Sequence, residues 1–287
     1  MIIVTGAGGF IGSVMVGYLN SLGITDVIAI DDMTNPTQYK NLIGKQFTLA
    51  SLSEVEMVMR MPPDLIKGVI HMGAISDTLA NNWPDFYKLN VLSTRQWANA
   101  CAELNIPFVF ASSAAIYGNG AGPLNQYAFS KYVSEMEISD RAACLRFFNV
   151  YGPNEYHKGR MASTIMHWFN QSKDGPIKVF ENSDRYFRDF VYVEDICKAC
   201  YWMIQNYRPG VFDLGTGESY SFESIARTIT DDIEYIPMPD DLKNQYQTDT
   251  KADMRLLTTI GFDATIMRNA KQGIKNYLEY LKSNKYY

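Results

Sequence analysis

Tyr127 and Lys131 stand four residues apart in the run Tyr127-Ala128-Phe129-Ser130-Lys131. On a helix such positions share a face, so the ammonium can sit beside the phenol. A neighbouring cation favours the phenolate and pulls a tyrosine from its ordinary pKa of ~10 toward neutrality. A tyrosine so placed can take a proton from a hydroxyl. The spacing alone reads equally well as a solvated helix face. It gains weight from Ser112-Ser113-Ala114-Ala115-Ile116-Tyr117-Gly118, where the Ser113 hydroxyl can hydrogen-bond the reacting oxygen.

A second constellation lies at the start of the chain. Gly6, Gly9 and Gly12 follow the apolar run Ile2–Thr5 and open the helical stretch Ile11–Leu22. Glycines so spaced allow a tight turn, close approach of backbone to a pyrophosphate and close helix–strand packing, while the helix N-terminus offers free N–H groups. Glycine turns are common, and a purely structural turn is the alternative. Asp31 ends the next apolar run, Val27–Asp31, where a carboxylate accepts from the adenosine ribose hydroxyls of a dinucleotide.

These residues need a scaffold, and the chain alternates accordingly. Strands are expected at Ile2–Thr5, Val27–Asp31, Gly68–Met72, Pro107–Ser112 and Ala142–Phe147, with helices at Ile11–Leu22 and Trp83–Leu104 between them. Such alternation predicts an α/β fold: a Rossmann-type doubly wound parallel sheet covered on both faces, with ligands bound beyond the carboxyl ends of its strands. From Tyr151 on, the segments shorten, and helices are expected at Ala162–Gln171, Asp195–Gln205, Ser221–Thr230 and Ala264–Leu281. This second part reads as a smaller, mixed α/β substrate-binding region that makes a cleft against the sheet.

The 287 residues carry a net charge of −5, which leaves no basic excess to neutralise a nucleic-acid backbone. Cys101, Cys144, Cys197 and Cys200 are too few and too scattered for a disulfide framework. Cys197 and Cys200 fall one helical turn apart and read as packing; no metal site is expected. Met1-Ile2-Ile3-Val4 lacks a basic leader and no apolar run reaches membrane-spanning length, so a cytoplasmic protein with no membrane partner is expected. Asp231, Asp232, Asp240 and Asp241 read as solvated surface, and Lys282–Tyr287 as an exposed tail.

Taken together, Thr5–Gly12, Ser112–Gly118, Tyr127–Lys131 and Arg146–Pro153 resemble the motifs of the extended short-chain dehydrogenase/reductase family, which acts on nucleotide sugars, in family order. Within it, His157–Ser163, Phe180–Ser183, Arg188–Val193 and Ile233–Tyr246 resemble the ADP-L-glycero-D-manno-heptose 6-epimerases. The resemblance implies Ser113, Tyr127 and Lys131 as the catalytic set and Lys158 as a second acid/base. It implies contacts of Phe10, Ile11, Asp32, Met72, Gly73, Ala74, Ser76 and Asn90, beside Gly6, Gly9, Gly12, Asp31, Tyr127 and Lys131, with NAD(P). Substrate contacts follow for Ser113, Asn149, Arg160, His167, Phe180, Glu181, Ser183, Arg188 and Tyr246, the substrate being an ADP-activated heptose or similar nucleotide sugar. It also implies a homo-oligomer, with residues 1–150 and 190–215 forming the cofactor domain and 151–189 and 216–287 the substrate region.

Plainer readings stand beside these roles. Lys158 can be a solvated cation, His167 a packing histidine, and Arg188 a partner of Asp184 or Asp189. Phe180, Phe187 and Trp168 can be core. The chain also departs from the family pattern. Only nine residues separate Tyr117 from Tyr127, a shortened stretch that bears on substrate selectivity. Arg160 stands where the family has serine, a potential phosphate clamp. Gln38 and Ser53 replace lysines that suit NADP, so Asp31, Asp32 and Gln38 favour NAD against a family precedent of NADP, unless Lys40 and Lys45 compensate. The alternatives are another nucleotide-sugar epimerase or reductase of the superfamily, or, in a different class, a catalytically silent dinucleotide-binding regulator.

Overall fold

The computed structural model describes residues 1–51, 55–240 and 247–283, except the side chains of 57–59. Its strands are β1 (Ile2–Thr5), β2 (Val27–Ile30), β3 (Thr48–Ala50), β4 (Gly68–His71), β5 (Phe108–Ser113), β6 (Ala143–Phe147), β7 (Asn149–Tyr151), β8 (Ile177–Phe180), β9 (Phe187–Arg188), β10 (Phe190–Tyr192), β11 (Gly210–Leu214), β12 (Tyr220–Ser221), β13 (Ile233–Ile236) and β14 (Asp249–Thr250). The helices are α1 (Phe10–Ser21), α2 (Val55–Arg60), α3 (Trp83–Phe86), α4 (Ser93–Glu103), α5 (Gln126–Ile138), α6 (Thr164–Gln171), α7 (Val193–Gln205), α8 (Phe222–Ala226), α9 (Arg255–Thr259) and α10 (Ala270–Ser283).

Seven strands form one parallel sheet in the order β11-β6-β5-β4-β1-β2-β3. Both neighbours of β1 pair with it in register, Ile2 opposite Val27 on one side and Gly68 on the other. The chain winds outward in both directions from β1, and the switch of direction between β1 and β4 opens a crevice at the strand ends. Four-residue apolar strands suffice because both faces are covered. Ile2, Val4 and Ala29 join α1 and α7 in one core. Ile3, Ile28 and Ile30 face Trp97 and Phe108 in another. Cys197 and Cys200 belong to the first of these cores, in keeping with a packing role.

Several expected elements come out differently. The edge strand β3 has no sequence signal, since Thr48 and Leu49 are exposed and make no apolar alternation. The expected helix Trp83–Leu104 is α3 and α4 joined through a π-helical turn at Tyr87–Leu92. The expected Ser221–Thr230 helix is regular only over α8, capped by the Ser221 hydroxyl, which accepts from the Ser224 amide. The helix expected from Ala264 begins at Ala270. Arg268 is held by Asp195, which accepts from its backbone N–H at 2.8 Å and its guanidinium at 2.6 Å, and this keeps the preceding Met267 extended.

A separate core gathers Tyr151, Ile165, Trp168, Phe169, Phe190, Phe222, Ile274 and Tyr277. Trp168 is buried there, whereas Phe187, expected as core, is 37% exposed. The expected substrate block 216–287 is split. Ala252, Met254, Leu257, Phe262 and Met267 pack into the sheet-side core with α7 and β11, while α8 and α10 pack into the smaller one. Asp241 and the end of the expected Lys282–Tyr287 tail, from residue 284, lie outside the described residues.

Candidate active site

A cleft of about 690 Å³ opens at the carboxyl ends of β1, β2, β4, β5 and β6. It is lined by Gly6, Gly9, Phe10, Ile11, Gly12, Asp31, Asp32, Met72, Gly73, Ala74, Ser76, Ser113, Tyr127, Lys131 and Lys158, residues drawn from widely separated parts of the sequence.

The glycine loop is built without room for side chains. Gly6 has φ +64°, and a Cβ there would lie 2.6 Å from the Gly73 nitrogen. A Cβ on Gly12 would lie 2.1 Å from the Gly6 carbonyl oxygen. Helix α1 therefore starts directly against β1 and β4. Its N-cap, Gly9, offers no side-chain acceptor and the first turn holds no acid, so the first-turn N–H groups remain available to an anion. The loop, the helix end and the carboxylate of Asp31 fit a dinucleotide. Asp31 Oδ2 accepts from the Gly8 amide at 3.0 Å and Oδ1 from the Met33 amide at 2.8 Å.

At the other end of the cleft, Ser113 terminates β5 and its Oγ accepts from the Ala115 amide at 3.1 Å. Tyr127 sits in the first turn of α5, which is capped by Asn125 Oδ1 accepting from the Ala128 amide at 2.8 Å. Ser113 and the Tyr127 phenol share a hydrogen bond that favours ionisation, yet burial dominates and pushes the phenol above its ordinary value. The expectation that Lys131 would draw Tyr127 toward neutrality does not hold here. Lys131 is 3% exposed, and a buried ammonium needs an acceptor. It finds the Ala111 carbonyl at 2.6 Å and lies 4.6 Å from the Phe110 ring centroid. Burial pulls Lys131 itself down to about 7.

Lys158 lies on the 3₁₀ turn Tyr156–Met161, with Nζ 5.4 Å from the Phe10 ring centroid. It is half-buried and held below its ordinary pKa by desolvation, so it is not a freely solvated cation. The turn is tied across the cleft. Asn35 Nδ2 donates to the His157 carbonyl at 3.0 Å, and Arg160 pairs with Asp77 at 2.7 Å. Arg160 is thus an exposed partner of Asp77, and it does not line the cleft.

Asn90 does not line it either. It is 1% exposed on the π turn, its Oδ1 accepting from the Ile75 amide at 2.8 Å and its Nδ2 donating to Ser130 Oγ at 2.8 Å. It holds the 72–76 loop against α5. Asn149 is exposed beside the cleft lining residues Phe148 and Val150. The remaining expected substrate contacts belong to the smaller core's side. His167 Nε2 lies 3.3 Å from the Arg160 carbonyl oxygen. Phe180 is half-buried and Glu181 exposed at the end of β8. Ser183 is buried, and its hydroxyl has no hydrogen-bond partner among the described residues. Arg188 is 6% exposed, donates to the Phe187 carbonyl at 2.7 Å and stacks over Phe222 at 5.3 Å. Asp189 accepts from Thr216 and from the Gly217 and Ala252 amides. Tyr246 and Ser53 lie outside the described residues.

Beneath the site runs a network that the motifs do not announce. Glu135 accepts from Ser112 Oγ at 2.8 Å and from Arg146 Nε at 3.0 Å; Arg146 also donates to the Tyr117 hydroxyl, which donates to Asp213 at 2.6 Å. It ties α5 to β5, β6 and β11. The available signal was Glu135 four residues beyond Lys131, extending the Tyr127–Lys131 face.

The pattern of the NAD dependent epimerase/dehydratase family matches residues 2–215. A Brachyspira hyodysenteriae protein named ADP-L-glycero-D-manno-heptose-6-epimerase is 37% identical over 319 aligned residues, covering 99% of this chain and 98% of that protein. Among solved structures, the Helicobacter pylori ADP-L-glycero-D-manno-heptose-6-epimerase superposes with a TM-score of 0.84 at 24% identity, covering 98% of this chain and 96% of that one. A UDP-N-acetylglucosamine 4-epimerase from Methanobrevibacter ruminantium gives 0.83 at 22% identity, covering 99% and 98%.

Proposed function

The chain belongs to the NAD dependent epimerase/dehydratase family, and from that premise we propose that it inverts C6 of an ADP-activated heptose by transient oxidation and re-reduction. The observation that carries this reading is that two proton-handling groups on different elements, Tyr127 on α5 and Lys158 on the 156–161 turn, line one cleft with a dinucleotide loop. The name of the 37%-identical Brachyspira protein supports the sugar.

Bound dinucleotide supplies the hydride acceptor and donor. The rest falls to the chain. Gly6, Gly9, Phe10, Ile11 and Gly12 seat the pyrophosphate, Asp31 and Asp32 the adenosine ribose, and the 72–76 loop the far half. Ser113 and Tyr127 hold the C6 hydroxyl. One of Tyr127 and Lys158 would take the hydroxyl proton as the C6 hydride left for the bound dinucleotide, giving a ketone; the sugar would turn over, and as hydride came back to the opposite face of C6 the other residue would protonate the oxygen. Lys131 lines the cleft with them, anchored on the Ala111 carbonyl. Ser183, Arg188, His167 and Tyr246 hold the nucleotide diphosphate and the heptose, Arg188 by its planar fork.

Purified protein given the ADP-heptose without added dinucleotide should invert C6, followed by NMR. Lys158→Met should slow inversion ~100-fold or more; an unchanged rate would defeat the two-base assignment.

The protein works in the cytoplasm in this reading, and no described helix is long and apolar enough to cross a membrane. Copies of the chain associate through the outer face of α5. Phe129, Tyr132 and Met136 share that face and are 44%, 37% and 65% exposed, with Trp83 of α3 against Phe129 at 5.2 Å. Met136→Glu should shift the mass measured by light scattering toward the monomer; a wild-type monomer would refute the association.

A further inference from the structure

We propose that Glu155 is the positioning residue for Lys158: its buried carboxylate anchors the turn that carries Lys158 and sets a negative charge behind the ammonium without binding it, so that the ammonium faces the sugar. This rests on the reading of Lys158 as the second acid/base.

Glu155 ends a buried stretch, Gly152-Pro153-Asn154-Glu155, that leads into the 156–161 turn. Asn154 takes φ +73°, which asparagine tolerates better than most residues, and its Nδ2 donates to Ser13 Oγ of α1 at 3.0 Å. Glu155 itself is 1% exposed, and a buried carboxylate is costly unless donors meet it. Four do. Oε1 accepts from the Tyr277 hydroxyl of α10 at 2.8 Å, from Ser163 Oγ at 2.6 Å and from the Gly152 amide at 3.4 Å, and Oε2 accepts from the Ser163 amide. Ser163 is in turn the N-cap of α6, its Oγ accepting from the Met166 amide at 3.3 Å. One carboxylate thus joins α6 and α10 to the turn. The same residue holds the backbone of Lys158, whose amide donates to the Glu155 carbonyl at 3.0 Å.

A carboxylate has about four lone-pair sites, and these donors fill them. Glu155 therefore acts on the Lys158 ammonium through charge and through the backbone. Among the described residues that ammonium has no hydrogen-bond or ion-pair acceptor; it lies over Phe10 and lines the cleft. Lys131 differs, since its ammonium is bonded to the Ala111 carbonyl. Burial favours loss of the Lys158 proton, and the Glu155 charge opposes that loss. The coupling is reciprocal: Lys158 pulls the Glu155 carboxyl down while burial pushes it up. The other titratable groups about the turn do not supply this charge. His157 is held below its ordinary pKa by burial and by Lys158. Asp31 is bonded to the Gly8 and Met33 amides, and burial keeps Tyr127 protonated.

Glu155→Gln separates charge from anchorage. The amide oxygen can keep the Ser163 amide, while the Ser163 and Tyr277 hydroxyls can turn to accept from its nitrogen. In protein labelled with 13C at lysine Cε, the resonance missing from Lys158→Met is that of Lys158. It should titrate at lower pH in Glu155→Gln than in the wild type, and Glu155→Asp should restore most of the difference. In the same variant kcat for C6 inversion at neutral pH should fall at least ~10-fold, with KM for the ADP-heptose within about threefold of wild type. A Lys158 titration unchanged in Glu155→Gln, or a raised KM at wild-type kcat, would overturn the inference while a slow Lys158→Met left the two-base reading standing. Wild-type inversion by Lys158→Met would defeat that reading and this inference with it. Should Glu155→Gln fail to fold, the coupling is read from the other side, since Lys158→Met keeps every donor to Glu155. The assigned Glu155 13Cδ resonance should titrate at higher pH in Lys158→Met, and an unmoved titration would overturn the inference.

Discussion

Burial acts in opposite directions on the two residues of the Tyr127–Lys131 pair. It keeps the phenol protonated and strips Lys131 of its proton preference, down to about 7. That has a stability consequence with a definite sign. In the unfolded chain Lys131 titrates near ~10.4. Between about pH 7 and that value the unfolded chain holds a proton that the folded one lacks, so stability rises with pH. The penalty is fully present below pH 7 and is relieved above it. Over pH 7 to 9 the wild type should gain about 2 kcal/mol relative to Lys131→Met, read as diverging urea midpoints; parallel midpoints would show that Lys131 is charged in the fold at pH 9. At this scale the sequence was informative about which residues meet in the cleft, since Ser113, Tyr127, Lys131 and Lys158 all line it. It was silent on orientation. Lys131 turns to a carbonyl on β5, and Arg160 spends its charge on Asp77, 83 residues away in the chain. Such choices depend on which acceptor the fold brings near, and no local pattern encodes that.

The elements were legible wherever a strand or helix is buried on a continuous face. β1, β2, β4, β5 and β6 announce themselves as apolar runs, and α5 places the Tyr127–Lys131 face as its spacing requires. β3 escaped because its residues face solvent, and the late start of α10 depends on Asp195, contributed by α7. The junction of β1 and α1 is the element on which the cofactor reading depends most. Gly12 lets the first turn of α1 lie on the Gly6 carbonyl, which a Cβ would meet at 2.1 Å. Backbone cannot step aside as a flexible side chain can. Gly12→Ala should therefore destabilise by roughly 1–3 kcal/mol and tilt the first-turn amides away from the cleft. Dinucleotide affinity should fall at least tenfold while the far-UV circular dichroism is kept; wild-type affinity would mean that α1 does not seat the pyrophosphate.

At the scale of the whole molecule, the family pattern ends at residue 215, but the sheet-side core does not. The chain leaves β11, builds part of the smaller core, and then returns. Phe262 packs edge-on against Trp202 at 5.3 Å, and the Asp253 amide donates to Asp213 on β11 at 3.0 Å. Arg268 pairs with both Asp195 and Glu194 of α7. Burying a side chain such as Leu257, Phe262 or Met267 contributes about 1.5–3 kcal/mol. The three together approach the ~5–15 kcal/mol that holds a whole domain folded. Removing them also takes the Arg268 guanidinium and amide from the buried carboxylate of Asp195, leaving it Lys198 at 3.1 Å as its cation, and weakening a buried ion-pair network is costly. A chain ending at residue 215 should therefore lose the cooperative thermal transition and near-UV circular dichroism of the full chain and bind a hydrophobic dye, even though every strand of the seven-stranded sheet is present. A sharp transition in that fragment would show that the cofactor half is an independent domain. Its absence would make the two cores one folding unit, so that the return of residues 252–267 sets the geometry of the cleft from behind while contributing nothing to its lining.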